Sequence, residues 1–198
     1  GNSLAKIASK VITGKSLKDL GLDAEIMPTN YAVKAPVFPF NKFRKVDPIL
    51  GPEMKSTGEV MGRGDCFGEA FGKAMKGAGE IIPNKGRVFV SVKDNDKKHL
   101  PDLCSKLEKL GFQIYATKGT AKALAETDVN VKIINKVLDG RPHIVDAILN
   151  KEIDMIINTT EGRQSIKDSF SIRRSALEHS IFLTTTISGG FAIVESLE

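Results

Sequence analysis

Tryptophan is absent from these 198 residues, tyrosine occurs twice, and the only cysteines are Cys66 and Cys104. The two thiols are far apart and neither lies in a CxxC or Cys/His spacing, which leaves no disulfide framework and no structural zinc pattern to read. They read as two reduced thiols of a cytoplasmic protein. The three histidines, His99, His143 and His179, show no ligand spacing either, so no metal site is expected. No apolar run approaches the ~18–20 residues of a membrane span, and no basic-then-apolar leader opens the chain, so no membrane partner is expected. Internal repeats and low-complexity stretches are missing too. No run of Lys or Arg exceeds two residues. Residues 1–80 carry 12 basic and 9 acidic side chains, and residues 81–198 carry 17 and 15, so the net charge of +5 is spread thinly. A nucleic-acid groove needs a concentrated basic stripe, and that partner class is not expected here.

What is present is ordinary globular composition, 41% hydrophobic and 27% charged. The text divides near residue 80. Leu4 to Ile12 follow a helical period with Gly14 as the stop, Ser16 to Leu20 form a second short helix ending at Gly21, and Tyr31 to Phe40 are extended. Residues 41–60 read as loop, through Asn41-Lys42-Phe43, Asp47-Pro48 and Gly51-Pro52. Asp65 is placed to cap a helix running to about Lys76, which Gly77 and Gly79 end. This first part is too small and irregular to bury a good core alone and reads as the end of another domain. The direct opening of Gly1-Asn2-Ser3 into a helical pattern fits a chain cut from something longer.

From Ile81 onward strand and helix patterns alternate. Strands are expected at Val88–Val92, Phe112–Ala116, Val131–Ile134, Ile153–Ile157 and Ile181–Thr184. Helices are expected on Leu100, Leu103, Cys104, Leu107 and Leu110 up to Gly111, at Thr120–Glu126, at His143–Leu149 with Pro142 in its first turn, over Ser165–His179, and from Gly190 onward. That order predicts an α/β domain, a five-stranded, mostly parallel sheet with helices on both faces, preceded by a smaller mixed segment.

In an open parallel sheet a ligand sits outside the carboxyl ends of the strands. The segments that follow the five strands are rich in hydroxyl, amide, Lys, Arg and Gly: Ser91 to Lys97, Thr117-Lys118-Gly119-Thr120, Asn135-Lys136, Asn158 to Arg163, and Thr185 to Gly190. Such a set fits an oxyanion, with Lys97, Lys136 and Arg163 as full charges and backbone N–H groups reaching in at the glycines. Acid–base machinery is harder to find. His143 and Asp146 fall inside an expected helix, Asp168 lies two helical turns beyond the fourth loop, and Asp94 and Asp96 are expected to cap the helix that follows them. No Ser/His/Asp or Cys/His arrangement stands out, and no catalytic residue is nominated.

Five segments carry a family resemblance: Pro39 to Phe43, Asp47 to Gly62, Gly140 to His143, Ile156 to Thr160, and Ile172 to Leu177. They resemble the C-terminal end of the large chain of carbamoyl-phosphate synthases, and the likeness runs over essentially the whole sequence. The resemblance implies that residues 81–198 are a methylglyoxal-synthase-like regulatory domain, and that residues 1–80 are the tail of the second ATP-grasp synthetase unit and its connector. It implies a glutamine-hydrolysing ligase that makes carbamoyl phosphate from bicarbonate, glutamine and two ATP for arginine and pyrimidine synthesis. ATP and its magnesium or manganese would lie upstream, so this piece is expected to hold no cofactor and to be non-catalytic alone. Its implied partners are a UMP- or IMP-type nucleotide effector, the upstream synthetase domains of the same chain, and a small glutaminase chain.

Matched residue by residue, the implied effector positions are Ser91, Lys97, Thr117, Thr120, Lys136, Asn158, Thr160, Arg163 and Asp168. Lys97, Thr117, Thr120, Lys136, Asn158 and Thr160 would hold the phosphate, and Thr185 would face the ornithine region. Three departures stand out. Ala35 occupies the place of a glutamate that helps bind ornithine in enteric-type members, which removes a partner for an ammonium. Lys118 replaces the more usual histidine of its loop. Asp139-Gly140-Arg141-Pro142-His143 stands where methylglyoxal synthases carry a Gly-Gly-Asp segment that supplies the base. The alternative function is a stand-alone phosphate-substrate enzyme of the methylglyoxal synthase or inosinate cyclohydrolase type.

Overall fold

The computed structural model describes residues 2–40, 46–49 and 56–198. The loop expected at Asn41-Lys42-Phe43 and the Gly51-Pro52 turn lie outside the described residues.

Two apolar runs set the centre of the molecule. Strand β3 (Gly86–Ser91) and strand β6 (Met155–Asn158) lie side by side, parallel, with Val88 opposite Met155 and Ser91 opposite Asn158. All four residues of β6 are buried, as expected of a strand covered on both faces. Alternation along the strands divides their side chains between two cores. Val88, Val90, Met155 and Ile157 point into one, and Phe89 and Ile156 into the other.

Outward from this pair, β4 (Phe112–Ala116) and β5 (Val131–Ile133) flank β3, and β7 (Phe182–Thr184) flanks β6. The order β5-β4-β3-β6-β7 is parallel throughout, as the strand–helix alternation predicts. The first face is covered by α3 (Leu100–Lys109) and α8 (Ile187–Leu197). On α3 the residues Leu100, Leu103, Cys104 and Leu107 form one buried stripe at helical spacing. Burial pushes the Cys104 thiol up to about 12, so it stays protonated as a small core residue. The second face is covered by α5 (Ile144–Leu149) and α7 (Phe170–Glu178), through Ile144, Ile148, Ile172 and Ala176. The short α4 (Lys118–Ala123) joins β4 to β5.

Ahead of this domain, α1 (Leu4–Ile12) buries no residue. Strands β1 (Tyr31–Val37) and β2 (Gly58–Gly64) pair antiparallel, Tyr31 opposite Gly64, and α2 (Phe67–Gly77) packs on them and on α8. The β2 strand starts inside the stretch expected to be loop. Its glycines argue against a strand by propensity, but they are what the packing needs: a Cβ on Gly62 would run into the Ala70 carbonyl oxygen of α2.

Several boundaries shift for physical reasons. Asp65 does not cap α2; Cys66 is the N-cap residue, and the Glu69 carboxylate instead accepts the Asp65 N–H at 2.7 Å. Pro142 stands outside α5, after a cis Arg141–Pro142 peptide bond. His143 caps that helix: its Nδ1 accepts the Asp146 N–H at 3.3 Å, and the Asp146 carboxylate accepts the His143 N–H at 3.0 Å. The helix expected from Ser165 is two, α6 (Arg163–Asp168) and α7, broken at Ser169. The final helix begins at Ile187 rather than Gly190, because the Thr186 hydroxyl accepts the Gly189 N–H at 3.0 Å and caps it.

Candidate functional site

The sheet reverses its winding between β3 and β6. Loops leaving those two strands therefore part to opposite faces and leave a crevice at their carboxyl ends. A cavity of about 720 Å³ opens there. Its floor is Ser91 and Asn158, and Lys136, Thr160 and Asp168 stand on its wall. All five are among the sequence-nominated residues.

Asn158 is the most constrained of them. Its side chain is 2% exposed, and its Nδ2 reaches the Ser91 carbonyl only at 3.5 Å. Among the described residues its buried Oδ1 has no hydrogen-bond partner. A buried acceptor left unpaired costs about 1–3 kcal/mol, and this one belongs to a residue at the base of the crevice.

Lys97, Thr117 and Thr120 do not line the cavity but border it. Thr117 and Thr120 sit at the start of α4, both buried, with their hydroxyls 3.3 Å apart. The Thr120 hydroxyl accepts the Val92 N–H at 3.4 Å, which ties that turn to the loop leaving β3. Lys97 Nζ lies 3.9 Å from where a Cβ on Gly119 would stand, so the lysine lies over the same turn. Its charge is engaged by Asp94 at 2.6 Å. Asp94 thus does not cap the following helix. Hydrogen bonding and charge from Lys97, with a smaller contribution from Lys136, hold its carboxyl below the usual range. The ends of β3 and β6 and the loop after β5 thus bring Ser91, Asn158 and Lys136 to the cavity, and Lys97, Thr117 and Thr120 stand next to it.

Arg163 and Thr185 fall outside this group. Arg163 opens α6 and is exposed, and Thr185 follows the edge strand β7. Asp168 is held by its neighbour Gln164, whose Nε2 donates to Oδ1 at 2.7 Å.

The cavity also uses residues outside the expected effector positions. Thr159 is buried and its hydroxyl accepts the Lys93 N–H at 3.0 Å, locking the loops after β3 and β6 together. Lys93 faces Glu161 at 3.8 Å across the mouth. Ser169 and Ile172 enter from the break between α6 and α7, which no sequence signal marks.

His143 and Asp146 are spent on capping α5 and on an Arg141–Asp146 pair at 2.8 Å. Among the described residues no group of three or more His, Cys, Asp or Glu converges to hold a metal ion. No helix among them is long and apolar enough to cross a membrane. A rim of hydroxyls, amides and lysine ammonium groups above a closed apolar sheet can bind an anion and orient a polar body beside it.

Residues 99–185 match the family model described as an MGS-like domain. Over all 198 residues the chain is 58% identical to the carbamoyl phosphate synthase large chain of Pseudomonas putida and to that of Pseudomonas syringae pv. tomato. It is 52% identical over 192 residues to that of Vibrio cholerae. These matches take up 97–100% of this chain but 18% of each relative, so the chain spans under a fifth of the length of the proteins it matches.

Proposed function

The chain carries an MGS-like domain and matches, from end to end, a C-terminal fragment of carbamoyl phosphate synthase large chains, and from that premise we propose that its crevice is an effector site for a nucleoside monophosphate of the UMP or IMP type. The observation that carries this reading is that Lys97 and Lys136 both stand near Asp94 on the cavity wall, with Thr117 and Thr120 in the turn under Lys97 and Asn158 at the base. Phosphate oxygens take the lysines and hydroxyls, and a nucleoside N–H or ribose O–H gives Asn158 the donor it lacks. The Asp168 carboxylate on the wall is a second acceptor for a ribose hydroxyl.

In this reading the residues up to 80 join a synthetase unit to a regulatory domain beginning at residue 81. The full-length protein is a cytoplasmic ligase producing carbamoyl phosphate from bicarbonate, glutamine and two ATP, for arginine and pyrimidine synthesis. ATP and magnesium or manganese belong to its upstream domains, and a separate glutaminase chain supplies ammonia. Effector binding shifts the upstream unit by its differential affinity for two conformations, an effect of about 1–3 kcal/mol. Ornithine is expected to give no response, because Ala35 is buried and offers no carboxylate.

Calorimetric titration of the chain with UMP, IMP, ornithine and inorganic phosphate tests this. One saturable site for a nucleotide is expected, with weaker binding of phosphate alone. Nucleotide at 100 times its dissociation constant should stabilise the fold by about 2.7 kcal/mol. Absence of both heat and thermal shift with UMP and IMP overturns the assignment. A second reading draws on the Asp139 and Asp168 carboxylates that line the same cavity. It makes the chain a lyase on a triose phosphate, and a methylglyoxal-release assay on the purified chain decides it.

A further inference from the structure

Arg173 of α7 is wholly buried, yet it is a cation. Its guanidinium grips Asp47 at both oxygens, Nε to Oδ1 at 2.8 Å and Nη2 to Oδ2 at 2.6 Å. Nη2 also donates to the Ile166 carbonyl at 2.7 Å. A continuous helix would offer that carbonyl the Phe170 N–H, so the guanidinium spans the break at Ser169. Among the described residues the buried Nη1 has no partner. One side chain thus holds together α7, the end of α6, and the segment 46–49 that precedes β2.

The place of this clamp is what gives it meaning. Asp168, Ser169 and Ile172 line the cavity, and Arg173 is the next residue along. A fork bound to both oxygens of a carboxylate has one orientation, unlike a lysine on a flexible stem. With the side chain buried it has no slack either. A displacement of the α6–α7 junction must therefore move Asp47 or break the pair. For stability alone, packed apolar side chains of similar volume would serve as well as a buried ion pair; what the pair adds is a fixed geometry.

We propose that the Asp47–Arg173 pair is the positioning link through which a ligand in the crevice acts on the chain ahead of β2. This rests on the crevice being a nucleotide site, and it adds the route by which that site is felt elsewhere.

The test is amide hydrogen exchange of the 198-residue chain with and without saturating UMP, and again with IMP, alongside calorimetry for both nucleotides. Wild type, Asp47→Asn and Arg173→Lys are compared. In wild type, nucleotide is expected to change exchange in peptides spanning 46–49 and 58–64 by about fivefold or more. In Asp47→Asn, nucleotide should still bind and still protect 163–168, while the response at 46–49 disappears. Nucleotide binding to wild type without any response at 46–49, or an equal response in Asp47→Asn, overturns the link while leaving the site intact. Failure of wild type to bind either nucleotide overturns the site and the link with it. Should Arg173→Lys not fold, the wild-type and Asp47→Asn arms decide alone.

Discussion

Ser91 and Asn158 end two adjacent central strands in register at the base of the crevice, and among the described residues the buried Asn158 Oδ1 has no donor. A side chain kept this way for stability would be a poor choice. Replacing an unsatisfied buried acceptor by an apolar group of similar shape removes a desolvation cost of about 1–3 kcal/mol. Asn158→Leu is therefore expected to leave the urea midpoint unchanged or raise it, while weakening UMP or IMP binding by about tenfold or more. Loss of stability without loss of affinity would show Asn158 to be a packing residue.

Asp94 and Lys97 make a second prediction. The Asp94 carboxylate already neutralises the lysine nominated for phosphate, at 2.6 Å, and is itself largely exposed. A phosphate has to compete with it. Asp94→Asn should tighten nucleotide binding by a few-fold at low salt, and the gain should shrink as ionic strength rises. Lys97→Ala should weaken binding, and adding Asp94→Asn to it should gain less than Asp94→Asn gains alone, because only the weaker interaction with Lys136 is then left to relieve. Titrations at two salt concentrations read all three.

Much of this was legible in the sequence where local pattern and tertiary demand agree. The apolar run at Ile153–Ile157, interrupted only by Asp154, marked a strand buried on both faces, and the β6 strand is buried throughout. The loops after the strands gave the rim, since parallel topology sends every carboxyl end to the same edge. The pattern failed where packing overrules propensity. Residues 41–60 read as loop, yet Gly58 opens β2, which runs on through Gly62 and Gly64 where α2 lies against it. The Ser165–His179 period is helical throughout, and nothing in it announces that Ser169 breaks the helix. The Asp47–Arg173 pair, 126 residues apart, has no local signature at all.

Arg87 and Asp154 give a pH prediction. Burial raises the Asp154 carboxyl, but hydrogen bonds from the Arg87 side chain and backbone N–H, at 3.0 and 2.7 Å, together with the guanidinium charge, lower it overall. A carboxyl lowered on folding adds stability above its unfolded value, near 3.9, and that contribution is lost as pH falls through the lower folded value. The stability gap between wild type and Asp154→Asn should be constant across neutral pH and close below about pH 4. About a third of each side chain is exposed, so added salt should narrow the gap as well. Urea midpoints measured from acid to neutral pH check both.

Gly68 and Gly72 lie one turn apart on α2, and they should respond in opposite senses. A Cβ on Gly68 would run into the Glu195 carbonyl oxygen of α8, which is backbone and cannot swing aside. On Gly72 the nearest atom is the Ser196 Cβ at 3.5 Å, an ordinary contact. Alanine gains up to about 1 kcal/mol over glycine in a helix interior. Gly72→Ala is free to realise that gain and should raise the urea midpoint. Gly68→Ala must also push α2 away from α8, an overpacking cost of about 1–3 kcal/mol that outweighs the gain. Its midpoint should fall, and the loosened helix pair should show faster amide exchange along α2 and the end of α8 than in Gly72→Ala. If both alanines stabilise, the two helices do not approach as closely as Gly68 requires, and the attachment of the β1–β2 unit to the α/β domain has to be sought elsewhere.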